Sequence, residues 1–372
     1  MYLALREMRH AKTRYALIIT IMLLVSFLVL FVTGLARGLA YANGSAIENM
    51  EADYMILQED ADHRLMRSEL SAHQLDAAEA VLGKERVSAF NLKMTTLSQE
   101  NGQGKADVAV IAIDPDSWIA PVVTQGKTLT GDIEGAIVVD RKLAKEGYTI
   151  GKVVVDHASG TSWTISGYTD DQSFSHTPVV FLNPLEWSKL QAKMALGRDV
   201  RTDIGPYNAF AVQASEDEAD QLRTIVEGIQ VISKGEAVSA IPGYKEEQGS
   251  LMMMIVFLFV ISAFVLAVFF YVVTIQKSGQ FGVLKAIGTK TAYLVAGVVG
   301  QVLMLSVGSL TVSLLLIGAA EAVLPNSLPF QLESGTLAFV CGSFVAMSLA
   351  GSLLSVYQVA KTDALEAIGR TT

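Results

Sequence analysis

Apolar positions in this chain gather into four long runs, and between the first two of them the pattern shortens and alternates. Tyr15 to Leu35, Leu251 to Ile275, Ala292 to Ala320 and Gly335 to Ala360 contain no charged residue. Each is long enough to cross roughly 30 Å of hydrocarbon as a helix. The runs predict four transmembrane helices over 15–40, 251–276, 292–320 and 335–360. The first should continue into a stalk, because LAYANGSAIENM (39–50) has no Pro and a single Gly. In the intervening stretch, DYMIL has the pattern of a strand. SAHQLDAAEAVLG has that of a helix, with Ser71 as N-cap and Gly83 past its end. SAFNLKMTTLSQ and ADVAVIAID flank ENGQGK, a hairpin signal. Further on, GAIVVDRKLAKEGYTIGKVVVDH, TSWTISGYTDD, HTPVVFLN, NPLEWSKLQAKMAL, AFAVQAS, DEADQLRTIVEGI and QVISKG alternate strand and helix patterns. Residues 41–250 are therefore predicted to form one α+β domain without an internal repeat, inserted between helices 1 and 2 of a membrane protein.

Composition agrees with a membrane class: 51% hydrophobic, 17% charged, mean hydropathy +0.41. Charge then orients the chain. Arg6, Arg9, Lys12 and Arg14 precede the first run, Lys277, Lys285 and Lys290 follow the second, and Lys361 and Arg370 follow the fourth. The loop 321–334 has no Lys or Arg. The positive-inside rule places 1–14, 277–291 and 361–372 in the cytoplasm, with 321–334 outside. The first run is too long for a signal-peptide core and lacks an A-x-A site, so it is expected to remain as an anchor. Residues 41–250 hold 18 Lys and Arg against 32 Asp and Glu. An acidic exterior domain argues against nucleic acid as a partner. Cys341, the single cysteine, falls in the fourth run, so no disulfide frames the outer domain.

Several chemistries are missing from the sequence. There is no GxxxxGK[ST] loop, and GTKT at 288–291 lacks the glycines that would cradle phosphates. No HExxH or GxSxG occurs, and His63, His73, His157 and His176 are scattered, with His10 on the other side of the membrane. Ionisable residues lie only at the ends of the spans, which disfavours an ion-coupled carrier. Energy is expected from outside the chain, and the chain itself is expected not to be an enzyme.

The segment IQKSGQFGVLKAIGTK, 275–290, is neither apolar nor a plain loop. Phe281, Leu284 and Ile287 recur at three-residue intervals while Lys277, Gln280 and Lys285 lie off that line, which predicts a short two-faced helix. Four spans, a large domain between spans 1 and 2, FGVLKAIG after span 2 and the closing AKTDALEAIGR together resemble the permeases of macrolide-exporter (MacB-like) and FtsX-like ABC transporters. YLALREMRHAKTRYALI, TGLARGLA and AIENMEADYMILQEDA resemble most the heme-regulated transporter permeases of Gram-positive bacteria, with DevC-type permeases of glycolipid exporters close behind. The resemblance implies a plasma-membrane homodimer on a dimer of cytoplasmic ABC ATPases, with ATP on the partner subunit and no intrinsic cofactor. It assigns 277–291 as the coupling helix, with Gln280, Phe281, Leu284, Lys285, Ile287 and Gly288 at the ATPase. The alternative is an amphipathic helix lying on the inner leaflet. The implied work is mechanotransmission, with heme as the substrate. A glycolipid, lipophilic antibiotic or peptide cargo stays open, as does an FtsX-like regulator of an exterior partner such as a cell-wall hydrolase.

Two further sites follow from helical spacing. Gly34, Gly38 and Ala42 form a small-xxx-small row suited to a homodimer seam, or equally to packing against span 2 of the same chain. Arg37, Tyr41 and Glu48 fall within about 40° of one another beside that row. With Met50 and the run Met252, Met253, Met254 they are candidates to hold heme: Arg37 for a propionate, Tyr41 for stacking, Glu48 or a thioether for the iron. No metal other than heme iron is expected. Methionines also fill gaps in membrane packing, and Arg and Tyr anchor helices at interfaces.

Overall fold

A computed structural model describes residues 12–100, 104–131, 133–194, 206–323 and 329–361. Arg6, Arg9, His10, Arg370 and most of AKTDALEAIGR lie outside these. The chain divides into a membrane unit, up to Gly38 and from Gly249 on, and an outer unit, Leu39–Gln248.

In the membrane unit, four helices among the described residues are long and apolar enough to span a bilayer. They are carried by α1 (Lys12–Glu48), α6 (Tyr244–Gln276), α8 (Thr291–Val323) and α9 (Ser334–Lys361). A short helix, α7 (Ser278–Ala286), joins α6 to α8. Helix α1 runs unbroken to Glu48, as the absence of helix breakers predicts. Ile18, Met22, Leu30, Leu266, Phe270, Val302, Leu305 and Phe344 form the bundle core. Small polar groups add cross-links there. Ser26 and Ser313 share a hydrogen bond between α1 and α8, and Ser313 also donates to the Leu23 carbonyl at 3.1 Å. A hydroxyl in hydrocarbon can also bond back to its own helix, as Ser26 does to the Leu23 carbonyl, so these cross-helix bonds add modest energy while marking where α1 and α8 touch. On the opposite faces Phe257, Val260, Ile261 and Phe264 of α6 are exposed, as lipid-facing positions must be.

The outer unit starts with β1 (Tyr54–Gln58), α2 (Ala72–Leu82) and β2 (Val87–Gln99), and ends with β10 (Ala209–Val212), α4 (Glu216–Ile225) and β11 (Ile229–Ser233). These four strands lie in the order β11-β1-β10-β2, every neighbour antiparallel. That is a split βαβ arrangement. Ile56, Phe210, Val212 and Val231 face Ala78, Leu82, Ala219 and Leu222 of the two helices. Ser71 and Ser215 both close capping boxes, with Gln74 and Glu218 respectively. Glu218 also takes a two-pronged contact from Arg86, 2.7 Å on each oxygen. That hydrogen bond, then the Ser215 backbone, lowers its carboxyl to about 2.

Between β2 and β10 the chain inserts β3 (Lys105–Ile113), β4 (Val123–Gly126), β5 (Ala136–Asp140), β6 (Val153–Asp156), β7 (Ser162–Thr169), β8 (Ser173–Phe174), β9 (Thr177–Leu182) and α3 (Pro184–Met194). β2 and β3 form the predicted hairpin, from Phe90 opposite Ile113 to Ser98 opposite Lys105. The pairing then closes on itself: β3 with β9, β9 with β5, β5 with β7, β7 with β6, and β6 back on the far end of β2. Closure leaves those strands no open edge. Val108, Val110 and Ala112 of β3 join the core of Trp163, Ile165 and Trp187, while Ala109, Ile111 and Ile113 join a second core with Phe90, Phe174 and Phe181. A strand buried on both faces has no polar alternation. The second core also takes in Ala46, Ile47 and Met50 from the end of α1, and Ala237, Val238 and Ile241 around α5 (Lys234–Ser239). The stalk is thus rooted in the outer unit's hydrophobic core. Asn43 on α1 and His176 in the β8–β9 turn both reach Glu247 at the start of α6, at 2.9 and 3.0 Å.

Candidate functional site

The two-faced segment forms α7, flanked by Lys277 and Ile287 and closed by Gly288 at φ 95°, a left-handed turn that glycine adopts at little cost. Its faces differ from the predicted line. Phe281 is turned into the bundle, lining a cleft of about 20 Å³ with Ile18, Phe270, Val298 and Val302. Leu284 and Lys285 are half-buried. The large apolar side chains left outside are Val283, 49% exposed, and Ile287, 76% exposed, with Gln280 exposed beside them. Phe281 therefore leaves the expected docking face: it anchors α7 to its own chain. Val283, four residues before Ile287, takes its place.

The Gly34–Gly38 row is occupied from within the chain. A Cβ at Gly38 would collide with the Pro329 carbonyl, and one at Gly34 with the Phe330 ring. Gln331 N–H donates to the Gly34 carbonyl at 3.1 Å. Within the chain, the row at Gly34 and Gly38 is met not by span 2 but by the segment entering α9. Gly38 lets a backbone lie directly against α1, and Gly34 leaves room for the Phe330 ring. Ala42, the third member, is half-buried in the outer unit's part of the helix.

The heme candidates do not all come together. Arg37 pairs with Glu333 at 3.1 Å. The Tyr41 hydroxyl donates to Asn49 Oδ1 at 2.9 Å. Glu48 is half-buried, and its carbonyl accepts from Lys234 Nζ at 3.1 Å. Met50 is withdrawn from the set, since it is buried in the outer unit's core. Met252, Met253 and Met254 are all exposed on the first membrane turns of α6.

One constellation was missed by sequence reasoning. Lys277, whose charge orients the loop under the positive-inside rule, is buried together with Tyr15 and Gln301. A signal was available: a Tyr opening one apolar span, a Lys closing another, and a Gln inside a third.

A model of the "FtsX-like permease C-terminal" family matches residues 252–364, which include α7 and its flanking spans. Over its full length the chain is 30% identical, across 369 residues and 99% of both chains, to a Staphylococcus haemolyticus protein named for a hemin transport system permease, HrtB. The chain belongs to the FtsX-like permease superfamily. A Staphylococcus epidermidis protein of the same name is 29% identical to this permease across 371 residues, again 99% of both chains. Among solved structures, the extracellular domain of the noncanonic ABC-type transporter YknZ from Gram-positive bacteria covers 48% of this permease and 98% of its own chain. At 18% identity and a TM-score of 0.34 that likeness bears no weight for function. The permease is thus a multi-pass membrane subunit of the FtsX/MacB-like ABC type, with its α/β outer domain between the first and second spans.

Proposed function

We propose that this permease works as a homodimer on a pair of cytoplasmic ABC ATPases, exporting hemin by mechanotransmission. The observation that carries the proposal is the outward pair Val283 and Ile287 on a helix held to its own bundle by Phe281. An apolar patch on a firmly seated helix suits helix-in-groove docking on a soluble subunit. ATP-driven closure below would then move α1 and α6, both of which run into the outer unit. Hemin is supported by the names of the two staphylococcal relatives over the full length. Met252, Met253 and Met254 are the proposed contacts for it; Met is an established axial ligand of heme iron.

Absorption titration of the purified permease with hemin tests the cargo. The expected result is a saturable Soret shift at micromolar hemin that weakens when the three methionines are replaced by Leu. Absence of a saturable shift would sink hemin as cargo. Orientation is tested separately in a Cys341→Ala background. Ala158→Cys, exposed in the outer unit, is expected to react with an impermeant thiol reagent on whole cells, and Lys290→Cys, exposed after α7, is not. The reverse labelling pattern would invert the topology and refute the docking of α7.

A further inference from the structure

Helices α6 and α7 are joined through a single residue, Lys277. Its N–H donates to the Thr274 carbonyl at 3.0 Å, finishing α6, and its carbonyl accepts from Phe281 N–H at 3.1 Å, opening α7. Its side chain turns inward and is 6% exposed. The ammonium donates to the Tyr15 hydroxyl at 2.8 Å and to Gln301 Oε1 at 3.4 Å, and lies 5.4 Å from the centre of the Tyr15 ring. Gln301 Nε2 donates to the same hydroxyl at 2.7 Å, closing a triangle. Tyr15 belongs to α1 and Gln301 to α8, so the cluster ties three helices at one depth.

A buried ammonium that loses its partners keeps its desolvation penalty, which makes such a contact costly to break. It is cheaper for the partners to follow. A hinge residue usually absorbs motion between two helices; this one is bonded to two more. We infer that Lys277 is a positioning residue that carries displacement of α7 directly into α1 and α8, with Tyr15 as its receiver. The inference rests on the proposed docking of α7 to an ATPase, but it concerns a different face, turned away from Val283 and Ile287.

The test uses the full chain with its ATPase in lipid nanodiscs, in a Cys341→Ala background. A bimane fluorophore sits on Leu24→Cys, an exposed position of α1. Trapping with ATP and vanadate is expected to shift the bimane signal in the parent chain. Lys277→Met should reduce that shift at least five-fold and Tyr15→Phe at least two-fold, with the ATPase retained in both. Lys277→Arg should keep half or more. The double variant should lose no more than Lys277→Met alone, as expected of two groups acting as one unit. A full shift in Lys277→Met, independent losses in the two single variants, or no shift in a parent chain that holds its ATPase would each overturn the inference. If Lys277→Met does not fold, Tyr15→Phe decides, since it removes one oxygen. Failure of the parent chain to hold an ATPase would instead refute the proposed function.

Discussion

Replacing Ile287 with Asp is expected to remove the ATPase subunit from the purified permease, with at least a hundred-fold loss of affinity. Ile287 is the most exposed apolar side chain of the α7 segment, and it precedes Gly288, whose left-handed turn holds it at the corner of the chain. An anchor of this kind at the centre of an interface is worth about 2 kcal/mol or more on truncation. A carboxylate sealed in the same dry groove adds a desolvation penalty of several kcal/mol. Val283→Asp should act in the same direction. Phe281→Asp would fail for another reason, by unseating α7 from its own bundle, and a fall in thermal stability separates that outcome from the first two. Co-purification with the ATPase measures the effect. A complex that survives Ile287→Asp with normal hydrolysis would remove α7 from the interface.

The largest loss of stability is expected from Glu186→Ala in the outer unit. The Glu186 side chain is 2% exposed, yet it accepts from Trp163 Nε1 at 3.0 Å, Gly135 N–H at 3.0 Å and Lys189 Nζ at 2.9 Å. Its own N–H is capped by Asn183 Oδ1 at 2.9 Å, which starts α3. Truncation leaves the buried Trp163 indole and the part-buried Gly135 N–H unpaired and takes from Lys189 one of its two carboxylates, Glu134 remaining at 3.3 Å, a cost of about 2–4 kcal/mol. That is a large share of the ~5–15 kcal/mol that holds most domains together. The unfolding midpoint should fall by roughly 10 °C for a domain of this size. Burial pushes the carboxyl up, but Lys189, the Gly135 N–H and the Trp163 indole together hold it below the ordinary carboxylate range. A carboxyl depressed on folding contributes stability that is fully present above its unfolded value, about 4.3, and is lost as pH falls through its folded value. Glu186→Gln should therefore flatten the acid limb of the stability profile, and an unchanged limb would show that other carboxylates set it.

Much of the architecture was legible in one dimension. The spans announced themselves because lipid demands some twenty apolar residues with every backbone group paired within the helix. The Ser71 helix was legible at both ends, since a cap and a helix terminator are chemistry of adjacent residues. The β2–β3 hairpin was legible through its turn residues. The pairing of two βαβ halves was not, because the β3–β9 insertion separates them and their similarity lies in strand order. The small helix α5 and the two-residue strand β8 carry too few residues to show a period.

At the candidate site the division runs through single residues. The sequence by itself determined that this chain crosses a membrane four times, hangs an acidic α+β domain between its first two spans, and carries a two-faced helix after the second. Each of these follows from local composition and spacing. Only the tertiary structure decided which apolar side chains of that helix face outward, because Phe281 and Ile287 are equally apolar and differ only in whether α1 and α8 stand beside them. It likewise gave Gly34 and Gly38 to Pro329 and Phe330, and turned Lys277 from a surface marker into a buried tie. A residue's type states what it can bind; which of its possible partners lies within reach is set by chain folded in from elsewhere, some 290 residues away for the pair Gly38 and Pro329.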